Sequence, residues 1–255
     1  MKRKSQNISN KIWSCSAILI LLFVWQSVSA LGLVDSFLLP SPLQVAKVFV
    51  TEFPLLMEHA AITLAEAFWG LTLGVVFGFV MAVLMDRFEA VYKAFYPLLV
   101  LTQTIPTVAI APLLVLWFGY EMTPKVILIV IVTFFPLAVG LLDGFREADK
   151  DAMHLLRAMG AGQWQIFWHI KLPGAMAQFF AGLRISVSYA VVGAVIAEWL
   201  GGFGGLGVYM TRVKKAFSFD KMFAVIFLIS IISLLLMKGV DVLQKKCMTW
   251  KEEES

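Results

Sequence analysis

Apolar runs of near-membrane length recur along this chain, parted by short polar stretches. A bilayer core is crossed by roughly 20 helical residues. By that measure six spans can be read: Ile12–Leu33, Thr63–Met85, Tyr96–Phe118, Val126–Leu142, Phe179–Trp199 and Met222–Leu243. Lipid offers no partner to a free backbone N–H or C=O, so each span is expected to be helical. Pro97, Pro106, Pro112 and Pro136 fall in or beside the third and fourth spans. Each removes a backbone donor and predicts a kink.

Two polar stretches carry further pattern. Ser41-Pro42 has the form of a helix start, serine as N-cap and proline in the first turn. Leu43, Ala46, Phe49, Val50 and Phe53 then give it a short apolar face, expected to rest on the bundle or the lipid interface. The stretch Asp151–Pro173 is amphipathic and aromatic-rich. Ala152, Leu155, Leu156 and Met159 stand at i, i+3, i+4 and i+7, one face of a helix, while Asp151, His154 and Arg157 fall away from it. Gly160-Ala161-Gly162 interrupts that helix. Trp164, Phe167 and Trp168 repeat the pattern, and Leu172-Pro173 closes the segment. Periodicity alone leaves two readings open: a surface for a water-phase partner, or a hairpin folded onto the headgroups.

Basic residues orient the spans. With the N-terminus inside, Lys2, Arg3, Lys4, Lys11, Arg87, Lys93, Arg146, Lys150, Arg157, Lys171, Lys245, Lys246 and Lys251 are cytoplasmic. Only Lys47, Lys125, Arg212, Lys214, Lys215 and Lys221 fall outside, so both termini and the Asp151–Pro173 stretch are expected in the cytoplasm. Lys2-Arg3-Lys4, an apolar run and Val28-Ser29-Ala30 imitate a secretory signal, but the run is long for one, and an uncleaved first helix is expected.

Composition agrees with an all-α integral membrane protein. Of 255 residues, 60% are hydrophobic and 15% charged, with a mean hydropathy of +0.85. Soluble domains carry roughly a quarter charged residues. The chain reads as one transmembrane domain, residues 1–255, with tails at 1–11 and 244–255 and a loop at 143–178. The lipid bilayer is the expected surroundings, and the net charge of +4 needs no nucleic acid to explain it. Cys15 and Cys247 form no disulfide framework, and His59, His154 and His169 have no ligand spacing, so no metal is expected. No phosphate loop of the G-x-x-x-x-G-K-[ST] type occurs. Gly202, Gly204 and Gly207 satisfy G-x-G-x-x-G but follow a membrane span rather than a strand, and they read as a flexible outer loop. Neither catalysis nor a bound cofactor is expected. Polar residues at membrane depth face protein or water, and Glu66, Gln103, Arg184 and Glu198 are the candidates for a translocation pathway; an Arg184–Glu66 pair across helices would be one arrangement.

Gly160, nine residues, Ile170, one residue and Leu172-Pro173 resemble the latter part of the cytoplasmic signature of ABC-importer permeases, the binding-protein-dependent transport inner-membrane components. That signature opens Glu-Ala-Ala six residues before its glycine, where this chain has His154, Leu155 and Leu156. Other stretches resemble the branch serving nitrate, taurine, alkanesulfonates and thiamine-pyrimidine precursors. These are Pro97-Leu98-Leu99, Gln103-Thr104-Ile105-Pro106, Ala111-Pro112-Leu113 and Trp117-Phe118-Gly119, then Gly182-Leu183-Arg184, Ala197-Glu198 and Gly204-Gly205-Leu206-Gly207. The resemblance covers about residues 40–250. It implies a bacterial inner-membrane permease that works with a cytoplasmic ATPase dimer, an extracytoplasmic solute-binding protein and a second permease subunit, a homodimer being the family expectation. ATP hydrolysis belongs to the separate ATPase subunit. The segment between the fourth and fifth spans would be the coupling helix, with Ala152, Leu155, Leu156, Met159, Gly160, Ile170, Leu172 and Pro173 as the ATPase-coupling residues.

The resemblance also bears on solute. The run from Ser188 to Gly202, with Gly207-Val208-Tyr209-Met210, is most similar to permeases for the thiamine pyrimidine precursor of hydroxymethylpyrimidine type. Two carboxylates and one arginine among the candidate residues suit an uncharged or amine-bearing solute, whereas sulfonate, taurine or nitrate, the alternatives, would be served by arginine or helix N-termini. A secondary transporter is the more distant reading; it would leave the Asp151–Pro173 loop without a role.

Overall fold

A computed structural model of the chain describes residues 2–248. Among them the regular structure is entirely helical: α1 (Lys2–Ala30), α2 (Pro42–Thr51), α3 (Phe53–Arg87), α4 (Glu89–Thr104), α5 (Thr107–Phe118), α6 (Met122–Arg146), α7 (Lys150–Ala158), α8 (Gln163–Ile166), a π-helical turn (Phe167–Lys171), α9 (Leu172–Trp199), α10 (Leu206–Lys215) and α11 (Phe219–Cys247). The last residues of the expected C-terminal tail lie outside the described residues.

Among the described residues four helical stretches are long and apolar enough to cross a bilayer: α3, α6, the continuous run Gln163–Trp199 and α11. The expected third span differs. It is a broken pair, α4 and α5, bent by 99°. Pro106 is the cause, since it pushes the residue before it out of the helical region, and Ile105 is extended at φ −85°, ψ 121°. Pro97, Pro112 and Pro136 stay inside their helices. Among the described residues of α1 the apolar stretch is Ser16–Ala30, within the expected first span.

The chain divides into two compact units, Met1–Glu58 with Tyr209–Leu228, and His59–Val208 with Ile229–Ser255. In the first, Ser41 caps α2 as its sequence predicts: its hydroxyl accepts from the Gln44 N–H at 3.3 Å while the Gln44 side chain accepts from the Ser41 N–H at 2.8 Å. The Trp25 indole donates to the Pro40 carbonyl and its ring lies against Phe223 and Phe227. Glu52 takes the Lys221 ammonium at 2.7 Å and the Tyr209 hydroxyl at 3.4 Å. Burial, with the Glu52 charge beside it, pushes the Tyr209 phenol up to about 12.

The second unit is built on α6. Without a hydrophobic force between helices in lipid, association rests on close backbone approach through small residues. α3 presents Gly70, Gly74 and Gly78, one every four residues, against Ile129, Thr133 and Leu137 of α6. α9 approaches from another side, with Gly182 so near the Pro136 carbonyl that an added Cβ would stand 2.7 Å from its oxygen. Gly144 faces Ala175 in the same way, and the Ser186 hydroxyl donates to the Thr133 carbonyl at 2.8 Å. These contacts hold α3, α6 and α9 as one packed group.

Candidate functional site

At one end of that group lies a buried polar network. α3 supplies His59, Thr63 and Glu66, α6 supplies Lys125, and α9 supplies Glu198. Glu66 and Glu198 are 3% and 1% exposed and Lys125 4%. The Lys125 ammonium meets Glu66 Oε1 at 2.6 Å. Glu198 Oε1 accepts from the Thr63 hydroxyl at 2.8 Å, and Glu198 Oε2 from the Gly207 N–H at 2.5 Å. The Leu206 N–H donates to Thr63 Oγ1 at 2.8 Å and the Gly205 N–H to His59 Nδ1 at 3.1 Å. The first N–H groups of a helix have no partner within it. Here side chains from two other helices satisfy those at the start of α10.

The glycines of this turn follow from that contact. Gly205 is left-handed at φ +113°, and a Cβ there would overlap the Glu198 carboxylate. The run Gly202–Gly207, expected as a flexible outer loop, is thus pinned at three successive N–H groups. Thr63, His59 and Lys125 are the members that sequence reading missed. Lys125 stood among the outside basic residues because α6 starts earlier than its apolar core, at Met122.

The four expected pathway residues are not gathered at one place. Glu66 pairs with Lys125, and Glu198 holds the α10 turn. Arg184 pairs with Asp241 at 2.6 Å and bonds the Gln244 side chain at 2.9 Å. The Arg184–Glu66 pair does not form, because each has a nearer partner on another helix. Gln103 borders open space. With Tyr189 it lines two cavities, of about 500 Å³ and 190 Å³, beside α6 and α9. The larger also has Phe135, Asp143, Glu147 and Gln178 in its wall, and no lysine, arginine or histidine lines either cavity.

α7 and α8 lie on the connection between α6 and α9. Asp149 caps α7, accepting from the Asp151 and Ala152 N–H groups at 2.9 and 3.2 Å. Its C-terminus closes as a Schellman motif, with Ala161 N–H to Leu156 C=O, Gly160 N–H to Arg157 C=O and Gly160 at φ +86°. Leu155 and Met159, on the expected apolar face, are 64% and 74% exposed. Ala152 and Leu156 are half-buried. The base of the segment is anchored: Phe167 packs on Phe145 and Ala175, Lys171 grips both oxygens of Asp86 at 2.7 and 2.8 Å, and Gln178 donates to Glu147 at 2.8 Å. Ile170, Leu172 and Pro173 are half-buried in this base. The base of the segment is thus tied to α3, α6 and α9.

This helical fold is shared with a solved structure. It superposes on a chain of the inward-facing MetNI methionine ABC transporter with a TM-score of 0.66 at 20% identity, covering 77% of this chain and 97% of that one. Residues 74–248 match the family Binding-protein-dependent transport system inner membrane component, and the chain belongs to it. It is 36% identical over 255 residues, the whole of both chains, to the formylaminopyrimidine transport permease protein ThiX of Halalkalibacterium halodurans. It is 30% identical over 247 residues, 94% of this chain and 90% of the relative, to the taurine transport system permease protein TauC of Escherichia coli. The chain is a multi-pass membrane component of a transport system and not an enzyme.

Proposed function

We propose that this chain is the permease subunit of an ATP-driven importer and translocates a thiamine pyrimidine precursor delivered by an extracytoplasmic binding protein. The observation that carries the reading is end-to-end similarity to a permease named for formylaminopyrimidine. The cavity supports it. A neutral, amine-bearing pyrimidine finds amide and carboxylate acceptors in Gln103, Gln178, Asp143 and Glu147 and an aromatic face in Tyr189. A sulfonate would meet two carboxylates and no cation there, and like charge in a poorly hydrated site is unfavourable. Taurine and other sulfonates remain the second reading because of the taurine permease relative.

In this account the permease pairs with a second copy of itself and with two ATPase subunits, and its termini and α7 face the cytoplasm. α7 seats its Leu155, Leu156 and Met159 face in a groove of the ATPase. Closure of the ATPases on ATP displaces α7, and the anchored base turns that displacement into rotation of α6 and α9, an alternating-access motion of packed helices. Leu155→Asp with Leu156→Asp places charge on the docking face. The double variant, expressed with its ATPase, is expected to reach the membrane at wild-type levels yet fail to co-purify with the ATPase. A fully assembled, transport-active complex from that variant would remove α7 from the coupling role.

A further inference from the structure

A second cavity, of about 320 Å³, opens where α3 ends and α9 begins. Its wall includes Asp86, Arg87, Arg157, Trp164, Phe167 and Lys171. Lys171 is neutralised by Asp86, whose two oxygens it holds at 2.7 and 2.8 Å. Arg87 and Arg157 also line the cavity and form no ion pair among the described residues, the Arg87 guanidinium lying 5.5 Å from the Phe88 ring centroid, so the wall carries two cations beyond the Lys171–Asp86 pair. Such an arrangement favours an anion, and the planar guanidinium fork matches phosphate oxygens in pairs.

The depth of the cavity says which phosphate. Asp86 and Arg87 are the last two residues of a membrane-length helix, and Lys171 directly precedes α9. Trp164 and Trp168, in the segment leading into α9, are 64% and 58% exposed, and exposed tryptophans at the ends of spans mark the headgroup layer. Basic pockets between spans at this depth take lipid headgroups. We propose that this cavity binds the phosphate of an anionic phospholipid headgroup, held by Arg87 and Arg157 with the headgroup against Trp164. The site is independent of the transported solute. Arg157 belongs to α7 and Arg87 to α3, so a phosphate held by both would link the two helices.

Native mass spectrometry of the purified full-length protein, released from micelles containing equimolar phosphatidylglycerol and phosphatidylcholine, tests the site. The expected result is preferential retention of phosphatidylglycerol, lowered at least tenfold in Arg87→Ala/Arg157→Ala and unchanged in Lys93→Ala, whose lysine lies outside the cavity. Arg87→Lys/Arg157→Lys keeps the charge and loses the fork; it should retain lipid at an intermediate level and shows whether the alanine variant has merely misfolded. Equal retention of the two lipids, or retention unaffected by the alanine pair, would overturn the proposal. Binding of inorganic phosphate or glycerol 3-phosphate as tightly as the lipid would assign the cavity to a soluble phosphate instead. Complete displacement of the lipid on adding the ATPase subunit would assign it to a protein contact.

Discussion

Replacing Lys125 with methionine removes the cation from a pair whose members are both almost wholly enclosed, with side chains 5% and 4% exposed. At 2.6 Å the attraction is about 6 kcal/mol for an effective dielectric of about 20. That gross figure is opposed by desolvation of several kcal/mol per ion, so the intact pair contributes little net stability. Breaking it is a different matter. Lys125→Met leaves the Glu66 carboxylate buried with no cation, and such losses run to about 3–5 kcal/mol. Glu66 Oε2 already lacks a hydrogen-bond partner among the described residues. Removing both charges in Glu66→Leu/Lys125→Met should recover most of the loss, because two apolar side chains then fill the space. Reversible unfolding in mixed micelles, followed for wild type, both single variants and the double, yields the coupling energy directly. The structure predicts at least 2 kcal/mol of coupling, in line with buried-pair magnitudes. A Lys125→Met protein within 1 kcal/mol of wild type, or a double variant no more stable than the worse single one, would refute the reasoning, since both exceed the scatter expected of unrelated sites.

Other consequences follow from particular contacts. Gly160→Val puts a β-branched residue at φ +86° and should cost roughly 1–3 kcal/mol; uptake should fall with the protein still present in the membrane, and unimpaired uptake would count against a fixed angle at the end of α7. Gly182→Leu forces a side chain onto the Pro136 carbonyl and should destabilise by about 1–3 kcal/mol or more, seen as a lower unfolding midpoint, whereas Gly239→Ala, in open space, should leave it unchanged. Gln103→Ala should raise the half-saturation of uptake without altering assembly; equal transport by both proteins would remove Gln103 from the pathway.

Hydropathy located helices 3, 6, 9 and 11 because lipid demands continuous apolar length, and it missed their true ends because helices continue into protein and water. α9 starts at Leu172 rather than near Phe179, and α6 at Met122, which is how Lys125 came to be counted with the loops. The Ser41 cap and the Gly160 stop were legible since both are local backbone chemistry. The four-residue spacing of Gly70, Gly74 and Gly78 was also present as a signal for helix contact, though nothing in it names α6 as the partner. The network of Thr63, Glu66, Lys125 and Glu198 joins residues as far as 135 positions apart, and no local pattern reports such a pairing. Residue type alone marks Glu66, Arg184 and Glu198 as costly in a membrane. It does not distinguish a charge that meets solute from one that fastens helices together, and the partners found here fasten helices.

Uptake of labelled 4-amino-5-hydroxymethyl-2-methylpyrimidine and of its formylamino analogue, by cells with and without this gene, tests the central claim most directly. The account predicts accumulation that requires the gene, collapses when cellular ATP is depleted and is unaffected by excess taurine. Gene-dependent uptake of taurine in place of the pyrimidines, or pyrimidine uptake that persists without ATP, would contradict it.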